Sequence, residues 1–291
     1  MGPDEERGVG NGGQAQASSG RVVVVTGAAR AGGIGRASAE ALARAGWRVV
    51  LSDHPSAQHA GTAPEGAPDL RAAVQHVGAI TEASGHVADV ADPAQVEALA
   101  DHALERFGRL DGWINNAGLN AGVRPLVDVT DEEWDLNLSV MATGTFYGSR
   151  AAARRMIDAG TGWGRIVNMS SQAGKTGMPL LSAYCAAKFA IIGITQALSG
   201  ELGRHGITVN AVCPGTVDTP LLELPGGIVP TFSAQAGLSG EEYRARLTRH
   251  IPLGRFVRAE EIAATVAFLC SDAADAITGE AVNVTGGQEV H

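Results

Sequence analysis

The sequence predicts a single doubly wound α/β domain, a parallel sheet of about seven strands with helices on both faces. Three observations carry this expectation. From Arg21 onward, short β-branched runs alternate with Ala-rich helical patterns, as a sheet covered on both faces requires. The first run passes directly into the Gly-rich stretch Thr26-Gly-Ala-Ala-Arg-Ala-Gly-Gly-Ile-Gly35 and then into a helical pattern. The chain has 291 residues, 45% of them hydrophobic, which is enough for one large core.

Taken in order, residues 1–20 are polar and Gly-rich and lack the apolar core of a signal peptide, so they are expected to form a flexible leader before a single folded domain over 21–291. Strands are expected at Val22–Thr26, Arg48–Ser52, His86–Val90, Gly112–Asn115, Arg165–Ser170, Thr208–Cys213 and Ala281–Val284. Helices are expected at Ile34–Ala45, Pro93–Phe107, Asp131–Asp158, Ala183–His205 and Ala259–Ser271. His54–Asp69, rich in Ala, Pro, Gly and His, reads as a surface loop. Leu221–Arg249 follows a strand with mixed Gly and Pro and then a short helical pattern; leaving the sheet at its ligand-binding edge, it is expected to be a substrate lid. Right-handed crossovers put the ligand crevice at the carboxyl ends of the strands.

Composition narrows the partners. A formal net charge of −9 without any Lys/Arg run argues against nucleic acid and against an anionic membrane. Cys185, Cys213 and Cys270 show no C-x-x-C spacing, which suits a reducing cytoplasm, and the eight histidines form no metal-binding pattern. No apolar run is long enough to cross a bilayer. Small molecules and other copies of the chain remain as partners.

The Gly-rich stretch has the context of a dinucleotide site. Its glycines serve a tight turn and close backbone approach, so that free N–H groups and the positive end of the helix dipole meet a pyrophosphate. Asp53 closes the next strand, 18 residues beyond Gly35. A carboxylate there accepts from ribose hydroxyls and repels a 2′-phosphate, which favours NAD over NADP. Arg30 in the loop is the counterweight, because a guanidinium can hold a 2′-phosphate.

Tyr184 and Lys188 stand four residues apart in an apolar, Ala-rich segment, on one face of a helix. An ammonium beside a phenol favours phenolate, which predicts a proton acceptor working nearer neutrality.

With these features in place, the chain resembles the short-chain dehydrogenase/reductase family, of the compact single-domain Rossmann type, from about Arg21 to Gly287. Asn115-Asn-Ala-Gly118, Asn137, Ser171, Tyr184-Cys-Ala-Ala-Lys188 and Pro214-Gly-Thr-Val-Asp-Thr219 occur in the family's order. The resemblance implies Asn137, Ser171, Tyr184 and Lys188 as catalytic. Ser171, 13 residues before Tyr184, takes that role over the adjacent Ser170. Tyr184 would be the acid/base and Lys188 would lower its pKa and bind the nicotinamide ribose. Ser171 would hold the substrate oxygen, and Asn137 would interrupt its helix to hold a relay water. Cofactor contacts are implied at Gly27, Arg30, Gly33, Ile34, Gly35, Asp53, Asp89, Val90, Asn116, Ala117, Gly118, Tyr184, Lys188, Pro214, Gly215, Val217 and Thr219. Asp89 would meet the adenine, and Val217 and Thr219 the carboxamide. Two departures stand out: five residues separate Gly27 from Gly33, two more than the family's common spacing, and Thr285 stands where an Asp is frequent.

The resemblance implies reversible hydride transfer between NAD(H) and a secondary alcohol or ketone. The alternatives are an NADPH-dependent 3-oxoacyl or polyketide-type ketoreductase and a non-catalytic dinucleotide-binding regulatory protein. Gln172, Met178, Leu180 and Leu181 are expected to line the substrate pocket, with Leu221–Gly240 closing over it. A cyclic alcohol, a sugar-derived polyol and a hydroxylated intermediate of secondary metabolism all suit that lining. The helices after Asn137 and Tyr184 carry wide apolar faces, and the resemblance implies that these pack against a second subunit, commonly in a homotetramer.

Overall fold

A computed structural model describes residues 20–57, 69–224 and 227–291. The expected leader, save Gly20, and most of the His54–Asp69 loop lie outside the described residues. In chain order the elements are β1 (Val22–Thr26), α1 (Ile34–Arg44), β2 (Arg48–Asp53), α2 (Leu70–Gly78), β3 (Ala83–Val87), α3 (Pro93–Phe107), β4 (Gly112–Asn115) and α4 (Asp131–Asn137). A π-helical turn over Leu138–Thr143 joins α4 to α5 (Gly144–Ala159). There follow β5 (Gly164–Met169), α6 (Ser182–Leu202), β6 (Ile207–Pro214), β7 (Val217–Asp218), α7 (Ile228–Ala236), α8 (Gly240–Arg249), β8 (Val257–Arg258), α9 (Ala259–Leu269) and β9 (Ala281–Val284).

Seven parallel strands form one sheet in the order β3-β2-β1-β4-β5-β6-β9, so the winding reverses between β1 and β4. Period-two alternation sends Val23, Val25, Val49 and Leu51 into a core under α1, α2 and α9, while Val22, Val24 and Val50 enter the opposite core with α3 and α5. The inner strands are buried along their length rather than alternating, and β1 is β-branched throughout.

Four departures from the expected elements have physical causes. β3 lies three residues earlier than expected, because an edge strand bonded only to β2 needs no apolar run. A Cβ at Gly85 would come within 2.7 Å of Val74, so the glycine lets α2 approach. Asp89 and Val90 therefore sit in the loop beyond the strand. Helix α2 was not anticipated; Asp69 caps it by accepting from the Ala72 amide, and Leu70, Ala73 and Val77 bury one face. The single long helix expected over Asp131–Asp158 is broken by the π turn. Finally, β7 and β8 pair as a separate two-stranded sheet, tying the segment after β6 to the start of α9.

Candidate active site

The crevice opens at the carboxyl ends of β1, β4, β5 and β6. Gly27 has φ +64°, and a Cβ there would reach 2.8 Å from Ala117 Cα. A Cβ at Gly35 would overlap the Gly27 carbonyl and the Asn116 side chain. The turn after β1, the first turn of α1 and the end of β4 thus close on each other through glycine. The lengthened loop is resolved as a turn in which Gly33 N donates to Arg30 O (3.2 Å) and Gly32 takes φ +69°.

Asn116 clamps this region: its Nδ2 donates to Thr26 O (2.9 Å) and Gly27 O (3.1 Å), and the Thr26 hydroxyl accepts from the Asn116 and Ala117 amides. Asn115 points the other way, into a buried network with Trp113, Ser149 and Asn168. The double Asn therefore divides into one residue for the crevice and one for the core.

Arg36 is a contributor that the sequence reading missed. Its buried guanidinium donates to Ala28 O (3.3 Å) and Ala29 O (3.0 Å), bracing the loop from the α1 side. Its position one residue after Gly35, facing back along the helix, was the available signal. Asp53 meets the loop from β2: one carboxylate oxygen accepts from Ala29 N (2.8 Å), the other from His54 N (2.9 Å). Asp89 turns back to accept from the Ala91 amide, and Asp92, not Asp89, caps α3. Val90 packs towards Gly144 of α5, where an added Cβ would meet it at 3.0 Å.

These residues fit a dinucleotide. The α1 N-terminus has no side-chain cap, its N-cap Gly33 is extended, and no acidic residue occupies the first turn. Free N–H groups at that end are suited to a phosphate, and Gly27, Gly33, Ile34 and Gly35 are the residues that would approach it.

On the other side of the crevice, the serines diverge as period-two geometry requires. Ser170 Oγ donates to Lys188 O (2.9 Å), whereas Ser171 Oγ caps the short turn Gln172–Gly174, accepting from the Ala173 amide (3.1 Å), and acts on the Tyr184 phenol to lower its pKa. Lys188 Nζ donates to Met169 O (2.7 Å), lies 5.6 Å from the Tyr184 ring centre, and would sit 3.8 Å from a Cβ at Gly118. Ser171, Tyr184, Lys188 and the Asn116–Gly118 turn are thereby brought together.

One expectation is corrected here. The tyrosine pKa is not drawn down by its lysine: burial pushes the Tyr184 phenol up to about 12, with Ser171 only partly opposing it. Burial likewise pushes the Lys188 ammonium down to about 8. Dense packing strips water from both charged forms, and that cost is the largest influence on each. Cys185 faces away from this pair, with its Sγ against Met178.

Asn137 is fully buried at the end of α4, and its Nδ2 donates to Ala121 O (2.9 Å) and Glu133 O (2.7 Å). Its Oδ1 has no protein partner among the described residues. A buried carbonyl oxygen left open beside a helix break suits a bound water.

After β6, Val217 is buried in the core and pairs with Val257, so only its backbone is available to a ligand, while Thr219 stays half-exposed. Gly215 serves the chain itself: a Cβ there would meet Gln288 Oε1 at 2.7 Å and Thr285 Cα at 2.8 Å. Above Tyr184, Phe232 of α7 packs with Met178, Leu181 and Val123, and its ring stacks on Tyr243 of α8. Leu180 is the one non-glycine residue with positive φ (+69°) among the described residues, and its carbonyl accepts from Arg124 N. Strain of this kind between Ser171 and Tyr184 marks a wall whose shape is held by its surroundings.

A family model described as enoyl-(acyl carrier protein) reductase matches residues 27–289. The chain is 37% identical to a sorbitol dehydrogenase of Cereibacter sphaeroides, covering 92% of this chain and 97% of that protein. It is 38% identical to a monensin polyketide synthase putative ketoacyl reductase of Streptomyces virginiae, covering 93% and 97%. Among solved structures it resembles a variant of actinorhodin polyketide ketoreductase with NADPH, with TM-score 0.83 and 36% identity over 93% of this chain and 98% of that one.

Proposed function

The chain belongs to the short-chain dehydrogenase/reductase family, and on that premise we propose that it interconverts a secondary alcohol and a ketone with a nicotinamide dinucleotide. The observation that carries this reading is the gathering of Ser171, Tyr184 and Lys188 at the edge of a glycine-lined crevice, with Lys188 Nζ 5.6 Å from the Tyr184 ring centre. When bound, the nicotinamide ring supplies the hydride acceptor or donor.

The chain's own residues supply the rest. Tyr184 Oη takes the hydroxyl proton in oxidation and returns it in reduction. Ser171 Oγ hydrogen-bonds the substrate oxygen and stabilises charge developing there. Lys188 Nζ lies beside Gly118, where it would hold the ribose hydroxyls of the cofactor and offset charge on Tyr184. Asn137 Oδ1 holds a water that connects the lysine to solvent. Backbone at Asn116–Gly118, Pro214–Gly215 and Val217, with the Thr219 hydroxyl, would hold the nicotinamide end of the cofactor, and Asp89 and Val90 its adenine end. The lid over 221–249 closes an apolar wall of Met178, Leu181 and Phe232 over a hydroxyl-bearing substrate.

NAD is the preferred cofactor in this proposal, because the Asp53 carboxylate stands at the end of β2, where a 2′-phosphate would be repelled. The likeness to a ketoreductase with NADPH favours a second reading, an NADPH-dependent ketoreductase in which Arg30 meets that phosphate. Residues 21–291 act as one catalytic domain, and the protein is a cytoplasmic homotetramer. Among the described residues no helix is long and apolar enough to cross a membrane, and no cluster suited to a metal ion is present.

Turnover of a panel of secondary alcohols and ketones with each cofactor tests the proposal. Tyr184→Phe is expected to lose at least about a hundredfold in kcat, and normal turnover in this variant would refute the acid/base assignment. Asp53→Asn is expected to narrow the preference for NAD over NADP; a wild-type enzyme that strongly prefers NADPH would establish the second reading.

A further inference from the structure

Beyond β9 the chain makes a turn through Gly286 (φ +65°) and Gly287 (φ +94°), and the next residues reach three separate parts of the site. Gln288 Oε1 accepts from the Thr216 amide at 2.8 Å, in the loop between Gly215 and Val217. Glu289 Oε2 accepts from the Thr176 hydroxyl at 2.6 Å, five residues after Ser171. The Gly286 carbonyl accepts from Leu253 N at 3.1 Å, just past α8. The segment is itself held rigidly: the Thr285 hydroxyl, 3% exposed, donates to Glu289 O and accepts from Glu289 N. Asn283 Nδ2 also donates to Glu289 O. The Glu289 carboxylate, in a residue only 8% exposed, divides its oxygens: Oε1 accepts from the Val290 and His291 amides and pairs with the His291 ring, while Oε2 is left for the Thr176 hydroxyl of a distant loop.

We propose that Gln288 and Glu289 are positioning residues, which hold the nicotinamide-binding loop and the Ser171 segment in register with each other. The inference rests on the oxidoreductase reading above. Gln288 acts on the cofactor side, because losing its acceptor frees the Thr216 amide beside Val217 and Thr219. Glu289 acts on the substrate side, because losing it frees Thr176 and, through the turn Gln172–Gly174, the orientation of Ser171. Thr285 is the anchor for both. A hydroxyl in that place can donate to and accept from the Glu289 backbone together, which a carboxylate cannot.

The two arms predict different losses. Gln288→Ala should speed exchange of the Thr216 amide in the cofactor-free protein and weaken nicotinamide dinucleotide binding by calorimetry about fivefold, the worth of one hydrogen bond, with kcat within about twofold. Gln288→Glu, which keeps an acceptor, should restore both. Glu289→Ala and Thr176→Val should each lower kcat severalfold without altering cofactor affinity, and the double variant should be no worse than Glu289→Ala alone. Unchanged exchange and affinity in Gln288→Ala, or additive losses in the Thr176/Glu289 pair, would overturn the proposal. So would a fall in melting temperature with kcat and affinity per folded molecule unchanged. Tyr184→Phe assayed alongside separates the two failures: if it stays active, the acid/base reading fails, while amide exchange and calorimetry still report on the brace.

Discussion

Burial moves Tyr184 and Lys188 in opposite directions, and this sets the pH behaviour of the site. The phenol at about 12 is a proton donor at neutral pH, so ketone reduction needs no prior ionisation. Alcohol oxidation needs the phenolate, whose fraction rises about tenfold per pH unit below the pKa. Initial rates are therefore expected to rise with pH through pH 7–9 for oxidation and not for reduction; oxidation that falls over this range would contradict the assignment. Lys188 makes a separate stability prediction. Its folded pKa, about 8, lies below the unfolded 10.5, so between these values the unfolded chain binds more protons and stability rises with pH. Below pH 8 both states are protonated and the burial cost, on the order of 3 kcal/mol, stands in full. Lys188→Met should lack activity yet melt above the wild type at pH 7, and thermal scans should show the gap closing towards pH 10. The opposite titration of Tyr184, between 10 and 12, is common to both proteins and cancels in the comparison.

At the scale of elements, the site depends on two local devices. One is the clamp of Asn116 on the turn after β1. Asn116→Ala leaves two carbonyls without their donor and should cost about 1–3 kcal/mol in chemical denaturation, with weaker cofactor binding by calorimetry; unchanged affinity would show that the turn holds itself. The other is the π turn after Asn137, which widens the helix where a regular α-helical ladder would run on. Capping at the start of α4 was readable, since Thr130 and Glu133 form a reciprocal pair. The break within the expected Asp131–Asp158 helix was not, because Asn137 itself keeps α-helical angles (φ −63°, ψ −46°) and its side chain bonds Ala121 O, a partner 16 residues away that no local pattern shows. Likewise Leu70, Ala73 and Val77 of α2 carry a helical pattern, but the Pro- and Gly-rich stretch before Asp69 obscured it.

For the whole molecule, the reversal of winding between β1 and β4 opens the crevice, and the exposed apolar surface bears on assembly. Phe146 on α5 (42% exposed) and Phe189 on α6 (45%) join Trp134 and Leu136 of α4 as large apolar side chains facing outward. Solvent-facing aromatics on adjoining helices are expected to be covered by a second subunit. Light scattering should report a homo-oligomer, and the double variant Phe146→Asp/Phe189→Asp should shift it towards monomer; an unshifted oligomer would place the interface elsewhere.

Local chemistry in the sequence determined the inner strands of the buried sheet, the glycine turn and the place of Asp53, because each obeys short-range rules of period and turn geometry, whereas the grouping of Ser171, Tyr184 and Lys188 was implied by resemblance to a family. Distances between segments belong to the tertiary structure. It alone decided that Asn115 serves the core and Asn116 the crevice, that Arg36 braces the loop, and that Gln288 and Glu289 reach Thr216 and Thr176, 72 and 113 residues away. It also reversed the expected tyrosine shift. Spacing along a helix brings the ammonium near the phenol, but the surrounding packed atoms, drawn from distant elements, set how much water remains to support either charge.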